Sequence, residues 1–151
     1  SLLGRIKKAK KKMPQGAVLM SPLLDLTFSG ASIISHADRD PFLHPNMLNA
    51  VSKFYCGSQT ASNTEISPLF GDLAGYPPLL VQVGSEEILF DDATRLVQLS
   101  EKQGVSAELE VWPGMFHSFQ TMVSILPEAK QALNSAVKKI HAWYNPPQSD
   151  N

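Results

Sequence analysis

Only one cysteine, Cys56, occurs among the 151 residues, so the chain cannot form an intrachain disulfide. Without a second thiol, a zinc cluster built on cysteines is not expected either. No apolar run approaches the ~20 residues that a membrane-spanning helix needs. The first residues lead directly into lysines rather than into a secretory signal. These absences predict a cytoplasmic protein without a membrane span.

An excess of charge of one sign is also lacking. The formal net charge is -1 and the isoelectric point is near 6.4, which gives no global attraction to nucleic acid or acidic lipid. The basic run over residues 5–12 has no aromatic or groove-reading partners, so it is interpreted as the solvated face of a helix rather than a nucleic-acid site. Hydrophobic residues make up 43% of the chain and charged residues 18%, which is typical of a globular domain.

Short apolar runs alternate with helical patterns along the chain. Residues 17–20 and 79–83 are continuous apolar runs, typical of parallel strands that are buried on both faces. Residues 107–112 alternate, so one face of this third strand is expected to meet water or a partner. Helices are predicted over 1–12, over 46–55, from Asp91 or Asp92 to about Gln103, and from Pro127 onward. Strands separated by helices predict an α/β fold with a parallel sheet.

Two details of these helices can be predicted further. Asp91 and Asp92 are both suitable N-caps, because their carboxylates can accept the free backbone N–H groups of a first turn. In the last helix, an apolar stripe at helical spacing is expected to face the core. Its members are Leu133, Val137, Ile140 and Tyr144.

Titratable side chains follow two of the predicted strands. Glu86 and Glu87 come directly after the second strand, and His117 lies in the loop after the third. Ligands and catalytic groups of open parallel sheets gather at the carboxyl ends of the strands. A carboxylate and an imidazole that meet there could form the orienting part of a nucleophilic triad. Taken singly, each is also compatible with an exposed loop charge.

Four collinear segments resemble the bacterial hormone-sensitive-lipase family of esterases, which have the α/β-hydrolase fold. They are 19–27 (LMSPLLDLT), 67–80 (SPLFGDLAGYPPLL), 84–92 (GSEEILFDD) and 110–119 (EVWPGMFHSF). The matching region runs from about residue 5 to residue 144. The resemblance implies hydrolysis of short- to medium-chain acyl esters, with a small-molecule ester as substrate and no metal or organic cofactor.

The family's triad runs in the order serine, acid, histidine. The resemblance gives His117 the role of general base. It gives the role of triad acid to Glu87, which lies four residues before Asp91. Most members of the family have an aspartate at the position of Glu87. Glu86 is the alternative acid if the register is shifted by one residue. Asp91 is then expected to cap a helix or to support the acid loop.

The nucleophile of the family is missing from this sequence. No Gly-x-Ser-x-Gly pentapeptide and no His-Gly-Gly oxyanion motif occurs in it. Both lie upstream in the family, so residues 1–151 are predicted to be the C-terminal half of one α/β-hydrolase catalytic domain. The missing N-terminal half is then a partner of this chain, and the chain alone is expected to be inactive.

Further candidates and one competing hypothesis remain open. By family analogy, four apolar side chains are candidates for an acyl or alcohol pocket, although a packing role is equally compatible with the sequence: Phe28, Phe42, Leu43 and Phe119. The competing hypothesis is a non-catalytic module that serves association. In that case the alternating third strand is an edge that pairs with another chain. A homodimer through this edge is plausible under either hypothesis.

Overall fold

The computed structural model describes residues 2–145 of the chain. Five helices and three strands alternate along it. In chain order they are α1 (Leu2–Lys8), β1 (Ala17–Met20), α2 (Ser32–Ser35), α3 (Pro45–Cys56), β2 (Leu79–Gly84), α4 (Phe90–Lys102), β3 (Ala107–Trp112) and α5 (Pro127–Tyr144). Short 3-10 turns occur at Pro68–Phe70 and Phe119–Met122. The first helix was predicted over 1–12 but ends at Lys8, and Lys10 has a left-handed backbone (φ 51). Ser1 lies outside the described residues.

The strands form one parallel sheet in the order β1-β2-β3, which confirms the predicted α/β fold. Ala17 pairs with Leu79, and Leu79 pairs with Ala107 on its other side. Every residue of β2 is buried because this strand has a neighbour on each side. The strand β1 was expected to be buried on both faces but is only half-buried, and Met20 at its end is 39% exposed. Within residues 2–145, β1 pairs with β2 alone.

The main apolar core lies between the sheet and α4. Leu79, Val81 and Val83 project from one face of β2 and pack against Leu96 and Val97 of α4. These side chains are 0–9% exposed, and burial of each contributes roughly 1.5–3 kcal/mol. This core fixes β2 and the start of α4, which are the two elements that flank Glu87.

The opposite face of the sheet is covered by α5, whose buried side differs from the prediction. The predicted stripe is largely exposed: Val137 is 51%, Ile140 40% and Tyr144 68% exposed. Small residues face the sheet instead, namely Ala129, Ala132 and Ala136. Small side chains are needed because α5 approaches closely. The buried Gln82 amide donates to the Ala132 carbonyl at 2.8 Å, which is possible only at short range.

The alternation of β3 also has an unexpected explanation. Its glutamate side contacts α5 and stays partly exposed to water: Glu110 accepts hydrogen bonds from Gln82 (2.8 Å) and Ser135, and Glu108, whose side chain is 50% exposed, forms an ion pair with Lys139. Polar residues on a strand therefore mark a polar interface with a helix here. The exposed apolar residue of β3 is Val111, at 41%.

Neither predicted aspartate caps α4, whose N-cap residue is Leu89 and has no side-chain cap. Both carboxylates reach across to other loops. The Asp91 carboxylate accepts from the backbone N–H of Ser32 at 3.0 Å. The Asp92 carboxylate accepts from the backbone N–H groups of Leu24 and Asp25 at 2.7 and 2.9 Å. The two aspartates therefore hold the chain after β1 against the start of α4.

Two buried carboxylates near this contact have opposite pKa changes. Burial favours the neutral form of Asp25, but hydrogen bonds from Ser29, Thr27 and Arg95 outweigh it and lower the pKa of Asp25 to about 2. Burial raises the pKa of Asp92 to about 6, although two backbone N–H groups stabilise its charge. At neutral pH, hydrogen-bond donors compensate the buried charge of Asp25, whereas the buried charge of Asp92 destabilises the fold.

We predict that Asp92→Asn stabilises the protein above pH 6 and has little effect near pH 4. The folded pKa of Asp92 (about 6) exceeds its ordinary value of 3.8, so its stabilising contribution is complete below pH 3.8 and is lost as the pH rises through 6. The difference corresponds to about 3 kcal/mol. Denaturant unfolding between pH 4 and 8 measures it. The exposed Asp38→Asn is the control, and an identical pH profile for wild type and Asp92→Asn would contradict the assignment.

Candidate active site

The candidate acid Glu87 follows directly after β2, and its side chain is fully buried. One carboxylate oxygen, Oε1, accepts two short hydrogen bonds, from the Gly84 backbone N–H and from the Ser21 hydroxyl, both at 2.6 Å. A buried carboxylate needs such donors, because an unpaired charge in the interior is costly. The second oxygen, Oε2, is left to face the loop that follows β3.

His117 lies in that loop, and its Nδ1 is 3.4 Å from Glu87 Oε2. The imidazole is 22% exposed, whereas the carboxylate is fully buried. The acid therefore sits beneath the ring and the ring lies between the acid and solvent. A carboxylate on Nδ1 fixes the tautomer that leaves Nε2 free to accept a proton. Sequence reasoning placed both groups at neighbouring strand ends, and the structure brings them together there.

The loops that carry these two residues are held against each other by their backbones. The Ser85 N–H donates to the Trp112 carbonyl and the Glu86 N–H donates to the Met115 carbonyl, both at 3.0 Å. A side chain at Gly84 would place its Cβ only 2.1 Å from the Met115 carbonyl oxygen. Glycine at this position therefore permits the close approach on which the contact between Glu87 and His117 depends.

The alternative acid, Glu86, points elsewhere. Its carboxylate accepts from the Ser85 hydroxyl at 2.8 Å and lies 3.7 Å from the guanidinium of Arg39. The side chain is 34% exposed, in contrast to the buried Glu87. The geometry therefore favours Glu87 as the partner of His117.

Residues around the acid loop restrain it further. The Ile88 N–H donates to the Asp40 carboxylate at 3.3 Å, and the Ile88 carbonyl accepts from the Ser32 hydroxyl at 2.7 Å. The same Ser32 hydroxyl accepts from the Asp91 N–H at 3.0 Å. Asp91 thus supports the acid loop through Ser32, which is one of the two roles expected for it.

The candidate pocket residues divide into two groups. Phe42 is 48% exposed and stacks on Phe116, next to His117, with ring centroids 5.2 Å apart. Phe119 is fully buried and packs with the alanines of α5, while Phe28 and Leu43 pack in a second small core. Phe42 is thus the one exposed candidate of the four, and it contacts the residue that precedes His117.

Sequence reasoning missed Ser21, which was interpreted only as the end of the first strand. In the structure its hydroxyl donates to Glu87 and accepts the backbone N–H of Ser118 at 3.0 Å. Its backbone is left-handed, at φ 47. The one available signal was its position at the carboxyl end of β1, the same sheet edge as Glu87 and His117.

The described part of the chain offers neither a nucleophile on His117 nor a cluster of metal ligands. Across residues 2–145, Glu87 is the sole hydrogen-bond partner of His117. No group of three or more potential ligands, counting His, Cys, Asp and Glu, is suited to a metal ion within these residues. No helix among them is long and apolar enough to cross a membrane.

A separate apolar cleft of about 630 Å³ lies between α1 and the sheet. The cleft is lined by Leu3 and Ile6 of α1, by Met13 and by Leu19 of β1, among others. Glu87 and His117 do not line it. The cleft adjoins β1, which is one of the two edge strands of the sheet in the described part of the chain. It is therefore an incompletely covered face of the core rather than part of the site.

Comparisons with known proteins agree on one fold. A family model described as the α/β hydrolase fold matches residues 1–121. An esterase of Acinetobacter venetianus is 42% identical over 130 residues, which cover 85% of this chain and 43% of the relative. An acetyl-hydrolase of Streptomyces hygroscopicus is 38% identical over 134 residues, with 89% and 45% covered.

Solved structures give the same answer. The crystal structure of EstE5 soaked in ethyl alcohol superposes with a TM-score of 0.93 at 31% identity, covering 95% of this chain and 48% of that one. A hormone-sensitive lipase from a metagenome library superposes with a TM-score of 0.91 at 38% identity, covering 93% and 48%. The chain thus spans about half the length of the relatives it matches.

We predict that Gly84→Ala separates the two loops. The added Cβ would meet backbone at 2.1 Å, so the expected cost is about 1–3 kcal/mol with a displaced His117. Denaturant unfolding and the ring signals of His117 in proton–nitrogen NMR spectra measure the two effects. Gly71→Ala is the control, since its Cβ would meet the Pro68 carbonyl at 3.3 Å and φ is an ordinary −97. Unchanged His117 signals in Gly84→Ala would contradict the prediction.

Proposed function

Since the chain belongs to the α/β hydrolase fold family, and within it to the hormone-sensitive-lipase group, we propose that it forms part of a carboxylic ester hydrolase. The observation that carries the proposal is the contact of 3.4 Å between His117 Nδ1 and the buried Glu87 carboxylate. The relatives named as an esterase and an acetyl-hydrolase support the same activity.

In the proposed mechanism, a serine attacks the ester carbonyl carbon while His117 Nε2 accepts the proton of its hydroxyl. Glu87 orients the imidazole and stabilises the imidazolium that forms. His117 then gives the proton to the leaving alkoxide, which departs as the alcohol. The acyl-enzyme is hydrolysed by a water that His117 deprotonates in turn. The burial of Glu87 suits this role, because an ion pair is stronger away from solvent.

We propose that the serine and the oxyanion N–H groups belong to an N-terminal half of the same domain, outside this chain. Three observations support this proposal. The matched relatives are about twice as long. No serine hydroxyl within residues 2–145 forms a hydrogen bond with the His117 imidazole. The strand β1 has one neighbour and borders an apolar cleft that a second half could cover.

Short- to medium-chain acyl esters are the proposed substrates. An acetyl-hydrolase among the relatives favours the short end of this range. The exposed Phe42, stacked on Phe116 beside His117, offers an apolar wall for one side of the ester. The proposed chemistry needs no metal or organic cofactor, since the nucleophile, base and acid are protein side chains.

Association is the second proposal, and the free outer edge of β3 favours it. Across residues 2–145, β3 pairs with β2 alone, and Val111 is 41% exposed. An uncovered strand edge can pair with a second copy of the chain. A homodimer through β3 is compatible with catalysis. A module that serves association alone has no esterase activity, so the activity measurement separates such a module from a dimeric enzyme.

We predict that the whole protein hydrolyses p-nitrophenyl acetate and that the 151-residue chain alone does not. Glu87→Gln should lower kcat by roughly 10³- to 10⁴-fold, because the imidazole loses its orienting charge. His117→Asn should lower kcat further, by roughly 10⁵-fold or more. Initial rates under saturating substrate measure both effects.

Glu86→Gln and His141→Gln are matched controls for these variants, and both should retain wild-type kcat. Two results would overturn the proposal. One is a whole protein without esterase activity, as the non-catalytic module requires. The other is a Glu86→Gln variant that loses more activity than Glu87→Gln, which would show that Glu86 and not Glu87 is the triad acid.

A further inference from the structure

We infer that Ser21 is a positioning residue of the triad, whose hydroxyl clamps Glu87 and the histidine loop in one fixed arrangement. The inference rests on the proposed ester hydrolysis and goes one step beyond it. Ser21 lies at the end of β1, outside the serine–acid–histidine set, and its hydroxyl makes no hydrogen bond to the imidazole in the described part of the chain. It acts through Glu87.

The polarity of the Ser21 hydroxyl is fixed by its two neighbours. The Ser118 N–H can only donate, and it points at Ser21 Oγ from 3.0 Å. An ionised Glu87 carboxylate can only accept, and its Oε1 lies 2.6 Å from the same oxygen. The hydroxyl proton therefore points at Glu87, and a short hydrogen bond to a charged acceptor results.

The two oxygens of Glu87 have different partners. Oε1 is held by two donors at 2.6 Å, the Ser21 hydroxyl and the Gly84 N–H. Oε2 faces His117 at 3.4 Å. With Oε1 held from two directions, the carboxylate cannot rotate about its last bond. The direction in which Oε2 faces the imidazole is thereby set.

Ser21 also joins three separate strand ends. It follows β1, its acceptor Glu87 follows β2, and its donor Ser118 is adjacent to His117 in the loop after β3. The loops that follow β2 and β3 also form backbone hydrogen bonds with each other. One hydroxyl thus links the end of β1 to the acid and to the loop that carries His117.

The backbone of Ser21 has a role that is separate from its side chain. Its N–H donates to the Gln82 carbonyl at 2.8 Å and so extends the pairing of β1 with β2. Its φ of 47 lies in the left-handed region, which favours glycine over serine. Glycine would suit the backbone better but would lose the hydroxyl. A residue that is only structural should therefore tolerate glycine, whereas a positioning residue should not.

The test uses the whole protein and p-nitrophenyl acetate. We expect Ser21→Gly to lower the thermal unfolding midpoint by a few degrees only, because relief of the left-handed backbone offsets part of the cost of removing one donor from the buried carboxylate. Its kcat should fall by about 10- to 100-fold, the effect of a misplaced catalytic group, while KM stays close to the wild-type value. Ser21→Ala keeps Cβ and should show the same fall in kcat, which covers the case in which glycine alters the loop.

A double-mutant cycle identifies the route of the effect. If Ser21 acts through the Glu87 carboxylate, then Ser21→Gly should cause little further loss of kcat in a Glu87→Gln background. Ser67→Gly is the matched control, because Ser67 is a fully buried serine whose hydroxyl also bridges two loops, between Leu26 and Ala61. This control should lower the unfolding midpoint and leave kcat unchanged.

The outcomes distinguish failure of the positioning role of Ser21 from failure of the proposed ester hydrolysis. Retained kcat in Ser21→Gly and Ser21→Ala overturns the positioning role and leaves the triad intact. A full, multiplicative loss in the Glu87→Gln background overturns it as well. Absent esterase activity in the wild type, or normal activity in Glu87→Gln, overturns the proposed function itself, and the positioning role falls with it.

Discussion

The contact between the buried Glu87 carboxylate and His117 is the interaction on which the arrangement of this protein depends. A fully buried carboxylate is stable only if donors surround it, and here Ser21 and the Gly84 backbone supply them at 2.6 Å. The remaining oxygen faces the imidazole at 3.4 Å. The parallel sheet makes this possible, because it places the ends of all three strands at one edge.

Two of the four non-glycine residues with left-handed backbones in the described part of the chain lie at the same place. Ser21 and Ser118 both have left-handed backbones, with φ values of 47 and 56, and a hydrogen bond links them. Such conformations cost of order 1–3 kcal/mol each and persist only where surrounding structure enforces them. The apolar core between β2 and α4 provides that enforcement, together with Asp91 and Asp92, which hold the chain after β1. Stability elsewhere in the fold thus maintains an arrangement that is locally unfavourable.

Much of this was predictable from residue pattern. The strands at 17–20 and 107–112, the helix that starts at Pro127 and the meeting of a glutamate with His117 all agree with the structure, because periodicity and strand order are local signals. The failures involve distant partners. The alanine face of α5 depends on Gln82, and Asp92 binds the loop at Leu24 rather than its own helix. The role of Ser21 depends on two residues far along the chain, and no local pattern encodes that.

We propose that Glu87 and His117 are arranged around a serine hydroxyl that another part of the protein supplies. A fluorophosphonate probe tests it directly, because the probe phosphonylates only a serine activated by a base. Peptide mapping of the labelled whole protein should find one modified serine, in a Gly-x-Ser-x-Gly segment outside these 151 residues, and His117→Asn should abolish the labelling. A modified serine within this chain, or labelling that persists in His117→Asn, would contradict the account.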